Sequence, residues 1–366
     1  MEILMNLSKI DARLSDEVKT ESDGILWLNA GDPRLSLHGV YYDENEKLYM
    51  RAPDTVTSAA GNERLYTLAR LTAGGRIRFL SDTPFVAIRA KIPAIFPPTH
   101  MSLTASHGFS VYADGYFQAR YSPAMQSMLG GVSPDPFHEF VTFETKRNLL
   151  KADHARTIEV YFPLYGGVSE IEIGVAEDAL VEKAPPHKIE KPLVFYGSSI
   201  TQGGCVSRPG NDYVSILSRR LGADYINLGF SGNGNAEAAM IDYVNSFVGS
   251  LYAFDYNMYA DRPERILPPH FSIYERIRKA HPNAVILMYD KPGYEYDVCE
   301  ERARTIRETY ERAVSLGDTR VAYVPAEDMY GAEERDCCTI DGSHPNDLGA
   351  MRIADALYKV INHFFG

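Results

Sequence analysis

Two short segments of this chain hold residues whose types and spacing suit chemistry. The apolar run Leu193-Val194-Phe195-Tyr196 opens into Gly197-Ser198-Ser199-Ile200-Thr201-Gln202-Gly203, and far downstream stands Asp341-Gly342-Ser343-His344-Pro345. A serine hydroxyl becomes a useful nucleophile when an adjacent base takes its proton and a third group fixes the tautomer of that base. Ser199 is the candidate nucleophile, because a residue at the head of a turn after a buried strand points out of the sheet. Ser198 is expected to bond to local backbone instead. His344 is the candidate base and Asp341 its orienting carboxylate. Plainer readings stand beside these. Gly-Ser-Ser also suits an ordinary strand-to-helix loop, and Asp341 and Ser343 also suit a helix-capping segment, with Pro345 at the first helical position. A metal site is a third reading, but two ligands are too few for one.

Attack of a hydroxyl on an ester carbonyl also needs donors for the oxyanion that forms. Asn227-Leu228-Gly229-Phe230-Ser231-Gly232-Asn233-Gly234 follows a second apolar run, and its glycines could bring a backbone N–H close to a substrate. A simple strand-to-helix turn or a phosphate cradle would be glycine-rich too. The segment lacks the Lys-Ser/Thr ending of a phosphate loop, and its spacing does not match a dinucleotide fingerprint. Asn257, in Asp255-Tyr256-Asn257, is a candidate side-chain donor, although an asparagine after a strand also suits turn chemistry.

These segments need a scaffold, and the rhythm of the chain supplies one. From Leu193 onward, apolar runs at Leu193–Tyr196, Tyr225–Leu228, Leu251–Phe254, Ala284–Met288 and Arg320–Val324 alternate with helical stretches. The helices are expected at Tyr213–Leu221, Ala236–Phe247, Phe271–His281, Cys299–Leu316 and from Asn346 to about Phe364. The last aligns Ile353, Ala356, Leu357, Val360, Ile361 and Phe364 on one face. This pattern predicts an α/β unit with a parallel sheet and helices on both faces. Ser199, the Gly-rich segment and Asn257 all fall at the C-terminal strand ends, where such sheets bind ligands.

Before Pro186 the chain reads as β. Short alternating or aromatic runs recur at Gly24–Asn29, Val40–Tyr42, Arg76–Leu80, Phe85–Ile92, Gly108–Ala113, Tyr116–Tyr121, Phe140–Phe143, Thr157–Phe162 and Ser169–Ile173, with no long helix among them. Asp114-Gly115 between two aromatic runs is a strong hairpin signal. The expectation is a sandwich of jelly-roll type over residues 1–186, followed by the α/β unit over 187–366. The Pro-rich, charged segment 181–192 reads as the linker.

Composition narrows the function classes. The chain of 366 residues carries 37 Lys and Arg against 49 Asp and Glu, a net charge of −12, with no basic stripe to follow a phosphate backbone. No nucleic-acid partner is expected. No apolar run approaches the roughly 18 residues of a membrane span. The N-terminal stretch Met1-Glu2-Ile3-Leu4-Met5-Asn6-Leu7 does not read as a secretory signal. Cys205, Cys299, Cys337 and Cys338 fit neither a disulfide framework nor a C-x-x-C zinc site. Free thiols and a cytoplasmic location are the expectation. His100 and His107 are weighed as contributors to a pocket, although a lone histidine in a β domain is more often structural. The sequence leaves oligomeric state open.

Residues 193 to 364 resemble the SGNH, or GDSL-type, superfamily of lipases and acylhydrolases. Gly197-Ser198-Ser199-Ile200 stands where that family has Gly-Asp-Ser, so the serine is kept and the acid before it is replaced. The resemblance maps the second-block glycine to Gly232, the third-block asparagine to Asn257 and the last block to Asp341 and His344. Asn257 sits in Asp-Tyr-Asn rather than the usual Gly-x-Asn-Asp. Gly108-Phe109-Ser110-Val111-Tyr112 and Gly166-Gly167-Val168-Ser169-Glu170-Ile171 resemble the β-sandwich that precedes the catalytic domain in one branch. The resemblance implies a flavodoxin-like α/β fold. It also implies an esterase that removes short acyl groups, acetyl above all, from carbohydrates or small molecules. Related members transfer acyl groups to alcohols, and a decayed, non-catalytic carbohydrate binder is the remaining alternative. The mechanism implied uses Ser199, Asp341 and His344, with an oxyanion hole of Ser199, Gly232 and Asn257 and no metal or organic cofactor. The expected partner is a small-molecule or oligosaccharide ester.

Overall fold

The computed structural model describes residues 24–95, 97–123, 137, 140–255, 269–293 and 300–366. In the first half the strands are β1 (Ile25–Asn29), β2 (Ser36–His38), β3 (Tyr41–Asp43), β4 (Leu48–Met50), β5 (Arg76–Ser81), β6 (Phe85–Pro93), β7 (Phe109–Ala113), β8 (Tyr116–Tyr121), β9 (Phe140–Asn148), β10 (Arg156–Tyr161), β11 (Glu170–Ala176) and β12 (Val181–Glu182). One antiparallel sheet runs β1-β11-β6-β9; the other runs β12-β5-β10-β7-β8, with β2 also on β5. Their facing side chains, among them Ile77, Phe79, Ile88, Phe109, Val160 and Ile173, form one buried core between the sheets. This is the expected sandwich. Asp114 and Gly115 close the β7–β8 hairpin with φ of 49° and 81°, the left-handed pair that a two-residue turn of this type demands.

Three short helices, Asp54–Ala59, Glu63–Ala69 and Leu103–His107, interrupt the half that reads as purely β. They are too short to show an apolar period, and two are set by caps. The Asn62 side chain accepts from the Arg64 amide and the Ser102 hydroxyl from the Ala105 amide.

The second half holds β13 (Ile189–Gly197), β14 (Ala223–Gly229), β15 (Leu251–Asp255), β16 (Val285–Tyr289) and β17 (Val321–Val324), all parallel, in the order β14-β13-β15-β16-β17. That is the flavodoxin-like order, with the topological switch between β13 and β15. Helices Tyr213–Leu221 and Asp347–Ile361 pack on one face; Ala238–Ser246, Pro269–Ala280 and Glu300–Ser315 pack on the other. The segment read as a linker is structured at both ends. Val181–Glu182 pairs with β5, and Ile189 pairs with Ala223, with the register broken before Leu193 where Pro192 lacks a donor.

The two halves share their cores. Ala73, Met101, Ala105, Tyr112, Tyr161 and Leu164 of the first half pack with one face of the parallel sheet, and Leu65 and Ala69 join the core on the other face. The sandwich is therefore positioned to reach the ends of the parallel strands. No helix among the described residues is long and apolar enough to cross a membrane. Cys205, Cys337 and Cys338 are free thiols, and Cys299 lies outside the described residues.

Candidate active site

The serine turn begins where β13 ends. Gly197 lies level with Gly229 of β14 and Asp255 of β15 at the C-terminal edge of the sheet. A Cβ on Gly197 would sit 2.3 Å from the Asp255 carbonyl oxygen, so only glycine lets the chain turn here. Ser198 then caps the short helix Ser199–Gln202, its hydroxyl accepting from the Ile200 amide at 3.0 Å. It makes the local bond expected of it and one more, donating to Asp255 Oδ2 at 2.5 Å. Thr201 Oγ1 donates to the same oxygen at 3.0 Å and also meets the Tyr213 hydroxyl, which meets that of Tyr289. Asp255 is wholly buried, and burial raises its carboxyl above the ordinary value against the pull of the Ser198 and Thr201 bonds. The acid missing before Ser199 is thus replaced by one from the neighbouring strand.

Ser199 is 2% exposed, and its Oγ lies 2.9 Å from His344 Nε2. His344 Nδ1 lies 2.7 Å from Asp341 Oδ2. Asp341 Oδ1 accepts from the backbone amides of Ser343, at 3.0 Å, and of His344, at 2.7 Å. Burial alone would raise the Asp341 pKa, but the bonds from His344 and Ser343 outweigh it and hold the group at about 2. The carboxylate is therefore ionised at neutral pH, and it fixes the ring so that an unprotonated Nε2 faces the serine.

Asp341 serves both the turn and the ring, one oxygen taking the two amides and the other meeting His344 Nδ1. Pro345 does not begin the helix. It pairs with Thr339 in an isolated bridge, and Asn346 caps the helix by accepting from the Leu348 and Gly349 amides. The reason is the extended backbone of Asn346, with φ −82° and ψ −169°, which delays the first helical residue to Asp347.

The Gly-rich segment lies against this turn. Gln202 Oε1 accepts from the Ser231 amide at 2.9 Å, and Asn227 Nδ2 donates to the Thr201 carbonyl at 2.8 Å. Gly232 is left-handed, with φ 65°. The half-buried Tyr165 of the sandwich half reaches the Ser199 carbonyl at 3.5 Å and the Ser231 side chain. Arg51, also from the first half, is fully buried and donates to the carbonyls of Leu71, Leu68, Asn227 and Gly229. It lies over the Phe230 ring, and burial brings its pKa down to about 9. Asn257 lies outside the described residues.

Of the two histidines weighed in the first half, His100 is exposed and its ring centroid is 5.8 Å from that of His344. His107 is wholly buried, and burial lowers its pKa to about 4. Cys205 is buried beside the same pair, with a left-handed φ of 73°. Asp255 had a sequence signal, as an acid closing an apolar parallel strand. Arg51 and Tyr165 had none, because nothing local ties them to Ser199, whereas Gln202 and Cys205 follow it closely in the same turn.

Residues 190–362 match the model of the GDSL-like lipase/acylhydrolase family, and residues 25–181 match that of the N-terminus of SGNH-hydrolase-type esterases. Residues 190–362 are thus of the GDSL-like lipase/acylhydrolase type. The chemistry that this match carries is acyl-ester hydrolysis. Solved structures share the chain's two-part fold. A protein from Bacteroides ovatus described as a GDSL-like lipase superposes with a TM-score of 0.76 at 24% identity, over 93% of this chain and 98% of that one. A salicylyl-acyltransferase from a tetracycline biosynthetic pathway gives 0.72 at 16% identity, over 93% and 98%. A family two carbohydrate esterase from Clostridium thermocellum gives 0.57 at 15% identity, over 80% and 92%. No curated protein is significantly similar in sequence to the chain.

Proposed function

We propose that this protein is a serine esterase that removes short acyl groups, acetyl foremost, from carbohydrates or related small alcohols through an acyl-enzyme. The observation that carries the reading is the continuous relay from Asp341 through His344 to Ser199, with contacts of 2.7 and 2.9 Å. Ser199 Oγ attacks the ester carbonyl while His344 Nε2 takes its proton. The oxyanion is held by the amides of Ser199 and Gly232 and by the Asn257 side chain. His344 then protonates the departing alcohol, and a water activated by the same imidazole releases the acid. No step calls for a metal or organic cofactor.

The sugar assignment draws on the fold shared with the carbohydrate esterase, which was solved in complex with cellohexaose. The fold shared with the salicylyl-acyltransferase favours a second reading, in which an acceptor alcohol intercepts the acyl-serine instead of water. Rates across a panel of acetylated mono- and oligosaccharides and of activated esters with longer acyl chains test the first reading. It expects acetyl sugars to be cleaved and rates to fall with acyl length. Equal rates on long-chain esters, with no turnover of acetyl sugars, would overturn it. Product partitioning with added acceptor alcohols separates hydrolysis from transfer.

A further inference from the structure

A catalytic histidine whose Nδ1 is held by a carboxylate is already prepared as a metal ligand. The carboxylate fixes the tautomer, aims Nε2 and makes that nitrogen a better donor. At His344 two further donors stand within reach. One ligand atom each of His100, Cys205 and His344 lie within 4.8 Å of one another. A tetrahedral zinc site with bonds of about 2.0–2.3 Å needs donor separations of about 3.5 Å, so a contraction of roughly 1 Å would close the set. His100 can supply that movement, being exposed and having the His344 ring as its described contact. Cys205 is fixed, held by a backbone conformation that residues other than glycine seldom adopt.

The donors also match in kind. Two imidazoles and a thiolate select zinc-like, borderline-soft cations over magnesium or calcium. The molecule offers a contrasting cluster at the seam between its halves, His38, His187 and Asp224. There the carboxylate is already bound by the Arg76 guanidinium and by His38, so a cation would meet a neighbouring positive charge. Among the described residues, the ion pair at the site beside Ser199 is that of His344 with the Asp341 carboxylate.

We propose that His100, Cys205 and His344 form a binding site for zinc or a similar divalent cation, and that occupation of it switches the enzyme off reversibly. The ion takes the Nε2 lone pair of His344 that otherwise accepts the Ser199 proton. Cys205 binds as thiolate and its proton passes to solvent, with no change in oxidation state. Because His100 comes from the first half of the chain, the ion also ties that half to the catalytic loop. The inhibitory part of this proposal rests on the functional reading above; the binding part does not.

The test uses the full-length protein with cobalt(II) as a spectroscopic probe and zinc chloride as inhibitor. Cobalt is expected to give a thiolate-to-metal charge-transfer band in the wild type and in Ser199→Ala, and none in Cys205→Ser. Zinc is expected to inhibit hydrolysis of an activated acetate ester, reversibly on chelation. His100→Ala and Cys205→Ser should each raise the zinc concentration for half-inhibition about tenfold or more, since even a lost hydrogen bond behind a ligand costs that much affinity. Substitution of exposed His100 keeps the test open should Cys205→Ser fold poorly. A cobalt band that persists in Cys205→Ser, or zinc inhibition unchanged in both variants or absent from the wild type, would overturn the proposal. Should Ser199→Ala still hydrolyse the ester, the functional reading fails, while the cobalt band in that variant still decides the metal site.

Discussion

The turn that presents Ser199 and the loop that presents His344 face each other across 2.9 Å, but they are held in opposite ways. Around Ser199 the supporting bonds are long in sequence. Ser198 reaches Asp255, Gln202 reaches Leu164 and Ser231, and Tyr165 reaches back from the sandwich. Around His344 they are short. Asp341 holds the ring and two amides, the Gly342 amide donates to Thr339, and Asn346 closes on Cys337. Ser199 thus depends on the whole fold, including the first half, whereas His344 depends on a self-contained turn. Damage far from the site should therefore reach Ser199 first and leave the Asp341–His344 pair intact.

The largest effect tests the pair itself. Ser199→Ala and His344→Ala should each lower kcat/KM on an activated acetate ester by about 10⁴-fold or more, as residues of one relay do. Asp341→Asn should cost less, about 10²- to 10⁴-fold, by offering the imidazole the wrong hydrogen-bond partner without removing it. Steady-state kinetics of the three variants checks this, and an Asp341→Asn enzyme with unaltered kinetics would show that the loop needs no carboxylate.

Next come substitutions that attack only the long-range side. Ser198→Asp would restore the family's usual Gly-Asp-Ser, yet it would set a second carboxylate against buried Asp255. We expect a loss of about 3 kcal/mol or more in unfolding free energy, because an unpaired buried charge is that costly. Urea unfolding measures it. Ser198→Ala removes only the cap and one partner of Asp255, about 1–2 kcal/mol. Arg51→Met removes the side-chain donor from four carbonyls, those of Leu71, Asn227 and Gly229 buried and that of Leu68 partly so, and should cost about 3 kcal/mol, read in the same experiment.

One further effect is spread over the molecule and is reached only by lowering the pH. Burial lowers the pKa of His107, His187 and His270 to about 4 each, with a nearby Arg78 charge adding to the effect at His187. In the unfolded chain these groups take up a proton near pH 6.5, and in the folded chain only near 4. Their contribution is complete above pH 6.5 and is lost progressively as pH falls toward 4, so stability should rise with pH across that window. Thermal unfolding from pH 4 to 7 measures the slope, and His187→Asn should flatten it.

The same contrast explains what the sequence made legible. Asp341 and His344 are three residues apart and make their bonds within the turn, so their spacing carried the information. The parallel strands were legible because buried strands read as apolar runs, and the closing helix over 347–361 because of its periodic face. The supports of Ser199 were not. Tyr165 and Arg51 act across 34 to 178 residues of separation, and no local pattern records such a contact. The short helices of the first half escaped notice for another reason, since five to seven residues are too few to display a period.

Labelling by a fluorophosphonate probe followed by peptide mass spectrometry tests most directly whether Ser199 is the residue that carries the acyl group. The expected result is one adduct per chain, on the peptide containing Ser199, absent from Ser199→Ala and slowed in His344→Ala. An adduct on another residue, or an unlabelled protein that still hydrolyses esters, would contradict it.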